Sequence, residues 1–144
     1  VKIHLPLLWS LILMSSTPAL AHNLLINITN IKPEKSGQLL VMVFEEQGFP
    51  KQHEKAIEIK TLTGLTPTMQ VSFELTQDTV AIKVLHDEDS NGKVTKNWTG
   101  IWPKEGLGFS NQQKVGLTGV PRFQASKIQL ASGANQHIVE LRYP

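Results

Sequence analysis

Apolar and polar side chains alternate along most of this chain, and a two-residue period commits those segments to β-strands with one buried face. Leu24, Ile26 and Ile28 alternate with Leu25, Asn27 and Thr29. Ile57, Ile59 and Thr61 alternate with Glu58 and Lys60, and Val71, Phe73 and Leu75 with Ser72 and Glu74. Val80, Ile82 and Val84 continue the pattern. Near the end, Ile128 and Leu130 mark a short strand. A last one sets His137, Val139, Leu141 and Tyr143 against Gln136, Ile138, Glu140 and Arg142. Leu39 to Phe44 differs, being apolar at nearly every position, as expected of a strand covered on both faces. Turn residues separate these runs at Pro33–Gly37, Gly64–Pro67, Gln77–Asp78 and Ser132–Gly133. Seven short, closely spaced strands predict an all-β chain: a single seven-stranded antiparallel β-sandwich. The one helical turn expected lies around Pro50 to Lys55.

The first residues follow a different rule. Lys2 is followed by an apolar stretch from Leu5 to Met14 and by Ala19-Leu20-Ala21, the small-x-small pattern of a signal-peptidase site. The stretch is shorter than the roughly 20 apolar residues of a membrane span. Residues 1–21 are therefore read as a signal peptide and 22–144 as one domain, periplasmic or secreted, with no transmembrane segment after cleavage. The chain has no cysteine, which excludes disulfides, thiolate metal sites and thiol nucleophiles. Without Lys2, the basic side chains exceed the 12 acidic ones by a single charge. That balance gives no support for nucleic acid or an anionic membrane surface as partner. The expected partner is an unidentified envelope ligand or protein, and the expected state a monomer.

The alternation breaks from Gly92 to Pro121, a stretch rich in glycine that carries Trp98, Trp102 and Phe109. So long a segment is usually functional or disordered, and its large rings argue for an ordered excursion packed over one end of the sandwich. The rings are expected to close the end of the core; the alternative is a carbohydrate or peptide platform built from Trp98 and Trp102. Just before it runs Asp87-Glu88-Asp89-Ser90-Asn91-Gly92-Lys93. Oxygen-bearing side chains at positions one, three and five, then glycine at six, form the first half of a calcium loop. An EF-hand is excluded, because its twelfth position requires a bidentate carboxylate and here holds Trp98. The candidate metal ligands are thus Asp87, Asp89, Asn91, Lys93 through its carbonyl, Thr95 at position nine, and Glu105 as the nearest downstream carboxylate. Calcium is favoured over magnesium because such mixed oxygen ligands suit its flexible shell. The plain alternative is an acidic Asx turn that binds nothing.

Catalytic motifs are sparse. No Gly-x-Ser-x-Gly elbow surrounds Ser110, Ser126 or Ser132, and the histidines are too scattered for zinc. His86 is read as a structural residue at a strand end, hydrogen-bonded to Asp87. A hydrolase using Glu105 with Asp89 or His86 remains as an alternative, and requires these groups to face one open pocket.

Taken in order, His86-Asp87-Glu88-Asp89-Ser90-Asn91-Gly92-Lys93, Asn97-Trp98-Thr99-Gly100-Ile101 and Glu105-Gly106-Leu107-Gly108-Phe109-Ser110-Asn111 form a connected pattern. With Val43-Phe44, Gly48-Phe49-Pro50, Lys55-Ala56, Pro121 and Phe123, it resembles the exported bacterial family catalogued as domain of unknown function 2141. The resemblance implies a secreted or periplasmic β-sandwich, transthyretin-like or immunoglobulin-like, with no assigned activity. Members often carry an acid at the position of Thr95. Its absence here implies a weaker ion site, since fewer carboxylates lower affinity.

Overall fold

The computed structural model describes residues 20–144, so the predicted leader lies outside the described residues except for Leu20 and Ala21. Two sheets carry the fold. The first orders β4 (Met69–Leu75), β1 (His22–Thr29) and β8 (Gly133–Glu140). The second orders β3 (Glu58–Leu62), β2 (Gln38–Phe44), β5 (Thr79–Asp87) and β6 (Gly106–Phe109), with β7 (Ile128–Gln129) paired to the start of β5. A one-turn helix, α1 (Phe123–Ser126), precedes β7, and the turn expected near Pro50 is a 3-10 turn at His53–Lys55. No helix among the described residues is long and apolar enough to cross a membrane.

The all-β expectation holds, but two of its details change. Among the described residues there are eight strands, and β1 pairs with β8 in parallel, so the fold is not wholly antiparallel. Alternation within a strand reports which face is buried and carries no information on the direction of the neighbour. The eighth strand, β6, escaped notice because it reads Gly-Leu-Gly-Phe. A side chain at Gly106 would run into the Tyr143 ring, and one at Gly108 would come within 2.7 Å of Val139 Cγ1 and 2.8 Å of the Glu140 carbonyl oxygen. The end of the chain crosses here: Leu107 and Arg142 exchange backbone hydrogen bonds of 3.0 and 2.9 Å, while the Leu141 amide donates to Thr29. This segment links the edges of the two sheets, and glycine makes room for it.

Leu24, Ile26, Ile28, Val71, Phe73 and Val139 of the first sheet meet Leu39, Val41, Val43, Val80, Ile82 and Val84 of the second in a single core. The opposite face of β2 is also covered, as its continuous apolar run predicted. Leu40, Met42 and Phe44 pack with Leu85, Leu107 and Phe109 in a second cluster, roofed by Phe49, Ala56, Val94 and Val115. Phe49 stands at the centre of an aromatic group, edge-on to Phe44, Phe109 and Phe123 at 5.6, 6.2 and 6.0 Å. The Phe49–Pro50 peptide is cis. The long excursion therefore packs at Val94 and Val115 on the outer face of the second sheet.

Candidate functional site

On β5 the side chains alternate between these two faces until the strand ends, and the last pair separates structure from site. His86 pairs with Leu39 of the inner core; Asp87 pairs with Gln38 on the outer side. Both are fully buried. The His86 Nε2 faces the Ser36 carbonyl at 2.6 Å, so it carries the proton, and Nδ1 accepts from the Tyr143 hydroxyl at 2.7 Å. Tyr143 in turn accepts from the Lys32 amide at 3.0 Å. His86 is a structural residue as expected, but its partners are Tyr143 and Ser36 in place of Asp87. Both of its ring nitrogens are engaged in these hydrogen bonds.

Asp87 organises the turn that follows. Its Oδ1 accepts from the Asn91 amide at 3.0 Å, and its Oδ2 from the Gly92 amide at 2.8 Å and Gln38 Nε2 at 3.0 Å. Gly92 sits at φ +76°, the left-handed conformation that a residue with a Cβ resists. Asp89 takes the Thr95 hydroxyl at 2.8 Å and Asn91 Nδ2 at 3.0 Å on Oδ2. The Thr95 hydroxyl, followed by the Asn91 amide, holds the Asp89 carboxyl below its ordinary pKa. Glu105 reaches the same place from the far side of the excursion. Its Oε1 accepts the Glu88 amide at 3.0 Å and its Oε2 the Thr95 amide at 2.8 Å. Burial pushes the Glu105 carboxyl up, and the charges of Asp89 and Asp87 add to that push against the two amide bonds.

Asp87, Asp89 and Glu105 each offer an oxygen, all within 4.8 Å of one another. The other three predicted ligands sit differently. The Asn91 side-chain oxygen accepts from the Lys93 amide at 2.7 Å, and the Thr95 hydroxyl bridges Asn91 and Asp89. Lys93 contributes that amide to the turn and is also among the residues lining a neighbouring cavity. Glu88 turns away to Lys35, 3.3 Å distant.

The chain from Thr95 to Lys104 forms a small hairpin on this base. Lys104 donates to Thr95 and Asn97 to Trp102, both at 2.8 Å, with Lys96 and Pro103 bridged between. Glu105, the next residue, thus ties the hairpin to the end of β5.

A family profile described as an uncharacterized protein conserved in bacteria (DUF2141) matches residues 26–138. The chain belongs to this family. No curated protein and no solved structure matches it. The DUF2141 match spans both sheets, the acidic turn and the hairpin.

The hairpin tip corrects one expectation for this DUF2141 chain. Trp98 is 96% exposed and Trp102 40%, with Ile101 exposed beside them, so the indoles do not close the core. Phe109, the last residue of β6, is buried and packs in the second cluster. Phe109 belongs to a strand and its side chain enters the second cluster, whereas the indoles sit in the reversal closed by the Asn97–Trp102 hydrogen bond and join neither cluster.

Two cavities flank the hairpin. One, of about 760 Å³, is lined by Trp102, Glu105, Lys32 and Tyr143. The other, of about 730 Å³, lies beneath Val94 and Ile101 and contains Lys83 and His53. Sequence reasoning missed this pair. Lys83 is 4% exposed; its Nζ donates at 2.8 Å to the Pro50 carbonyl and at 2.8 Å to His53 Nε2. His53 Nδ1 then donates to the Gly92 carbonyl at 3.2 Å. Burial lowers Lys83 from 10.5 to about 8, and burial together with the Lys83 charge lowers His53. One available signal was Lys83 itself, a charge in the midst of the apolar run Val80–Leu85.

Proposed function

We propose that this protein is a non-catalytic binding module of the bacterial cell envelope, periplasmic or secreted, whose acidic turn holds out a hairpin bearing Trp98 and Trp102. The exposure of the two indoles on a hairpin with a hydrogen-bonded base is the observation that carries the reading. Large aromatic rings are ordinarily buried, and exposed ones on an ordered support mark contact surfaces for sugars or peptides. The fold is read as a β-sandwich of transthyretin-like or immunoglobulin-like type, since two sheets share one core. The export reading rests on the leader pattern of residues 1–21, and cleavage after Ala21 leaves β1 whole. A calcium ion among Asp87, Asp89 and Glu105 strengthens the base, because three carboxylates so close repel unless a cation or protons intervene. The hydrolase alternative is disfavoured: both Glu105 oxygens are engaged by backbone amides, and His86 is committed to the inner face.

Two measurements test this. The purified protein is sedimented with insoluble peptidoglycan, and Trp98→Ala with Trp102→Ala is expected to abolish co-sedimentation while leaving the melting temperature unchanged. Failure of the wild-type protein to sediment counts against a peptidoglycan sugar or peptide as ligand. Millimolar calcium added to the metal-stripped protein is expected to raise its melting temperature, and Asp89→Ala to erase the rise. An unchanged melting curve removes calcium from the account.

A further inference from the structure

We propose that the cavity beneath Val94 and Ile101 binds a small apolar monocarboxylate whose head group pairs with the Lys83 ammonium. Buried charges in proteins are ordinarily paired, because an isolated ion in an apolar setting is costly. Lys83 breaks that rule: no carboxylate lies within ion-pair distance of it among the described residues, and its two hydrogen-bond partners are neutral. His53 is neutral because its Nε2 accepts from the ammonium while Nδ1 donates to a carbonyl.

An ammonium has three N–H groups, and two are used, so one remains for a ligand. A single spare donor suits one carboxylate oxygen; a phosphate demands several donors at once. The rim adds Lys51, Lys93 and Lys96 against Glu54 alone, which favours an anion entering. The walls are apolar, with Leu107, Phe109, Val115 and Val120 among them. At about 730 Å³ the cavity falls within the usual range for small-molecule sites, where an apolar lining surrounds a few placed polar groups. The lowered pKa of Lys83 agrees with a cation awaiting its partner. The exposed indoles take no part, so this site stands or falls apart from the proposed function.

Octanoate is the probe, titrated into the purified protein by calorimetry at pH 7, with 1-octanol and inorganic phosphate as controls. Saturable one-to-one binding of octanoate is expected, at least tenfold tighter than octanol, with no heat from phosphate. Lys83→Met, which keeps the side chain's length without its charge, is expected to weaken octanoate at least tenfold and leave octanol unchanged. Val115→Glu places a carboxylate in the cavity and is expected to weaken octanoate likewise with Lys83 intact, so the test does not hang on one variant. Absence of saturation at millimolar octanoate, or equal binding of octanoate by wild type and both variants, overturns the proposal.

Discussion

Removing the charge of Lys83 makes a quantitative prediction about stability. The side chain has a folded pKa of about 8 against an ordinary 10.5, because burial penalises the ammonium. Between these values the unfolded chain binds more protons than the folded one, so stability rises with pH. The penalty is fully present below pH 8 and disappears as the pH climbs toward 10.5. The two pKa values give a gain of about 2.5 kcal/mol between pH 7 and pH 10. Lys83→Met cannot titrate and lacks this slope, whereas every other alkaline group, Tyr143 included, is common to both proteins and cancels. The assay is urea unfolding followed by circular dichroism at half-unit pH steps, with the variant's free energy subtracted from the wild-type value. The difference is expected to move in favour of wild type by about 2.5 kcal/mol as pH rises from 7 to 10. A flat difference means that Lys83 is solvated or already paired, and refutes the buried unpaired cation.

Other parts of the fold are open to simpler substitutions. Gly108→Ala drives a methyl group into Val139 and the Glu140 carbonyl, and is expected to cost about 1–3 kcal/mol in denaturant unfolding, as overpacking does elsewhere. Tyr143→Phe strips the Lys32 amide of its acceptor and buried His86 Nδ1 of its donor; a loss of about 1–3 kcal/mol is expected by the same measurement. No loss in either variant contradicts the close crossing of the chain end beneath β6.

Seven of the eight strands among the described residues were legible from their apolar pattern, by alternation where one face is buried and by a continuous apolar run in β2, which buries both. The eighth was hidden by the crossing segment: the contact that demands glycine at 106 and 108 erases the alternation that would have announced β6. The parallel pairing of β1 and β8 is a property of chain path, which side-chain pattern does not encode. At the site, Asp87, Asp89 and Glu105 were legible as a group because local turn chemistry fixes the first two, and Glu105 was the next acid along the chain. The surroundings of the indoles were not legible, since an exposed Trp in a reversal and a buried one in a strand read alike. The pairing of Lys83 with His53 spans 30 residues and depends on the second sheet's outer cover, which no local spacing reveals.

The pinning of the hairpin is the claim on which the proposed function rests, and amide hydrogen exchange tests it most directly. In the wild-type protein the Thr95 and Glu88 amides donate to Glu105, and the Lys104 amide donates to Thr95 across the hairpin. Glu105→Ala is expected to release protection at Thr95, Asn97 and Lys104 together, while Val84 and Met42 in the second sheet exchange as slowly as before. Equal protection at Thr95 and Lys104 with and without the Glu105 carboxylate would show that the acidic turn does not hold the hairpin.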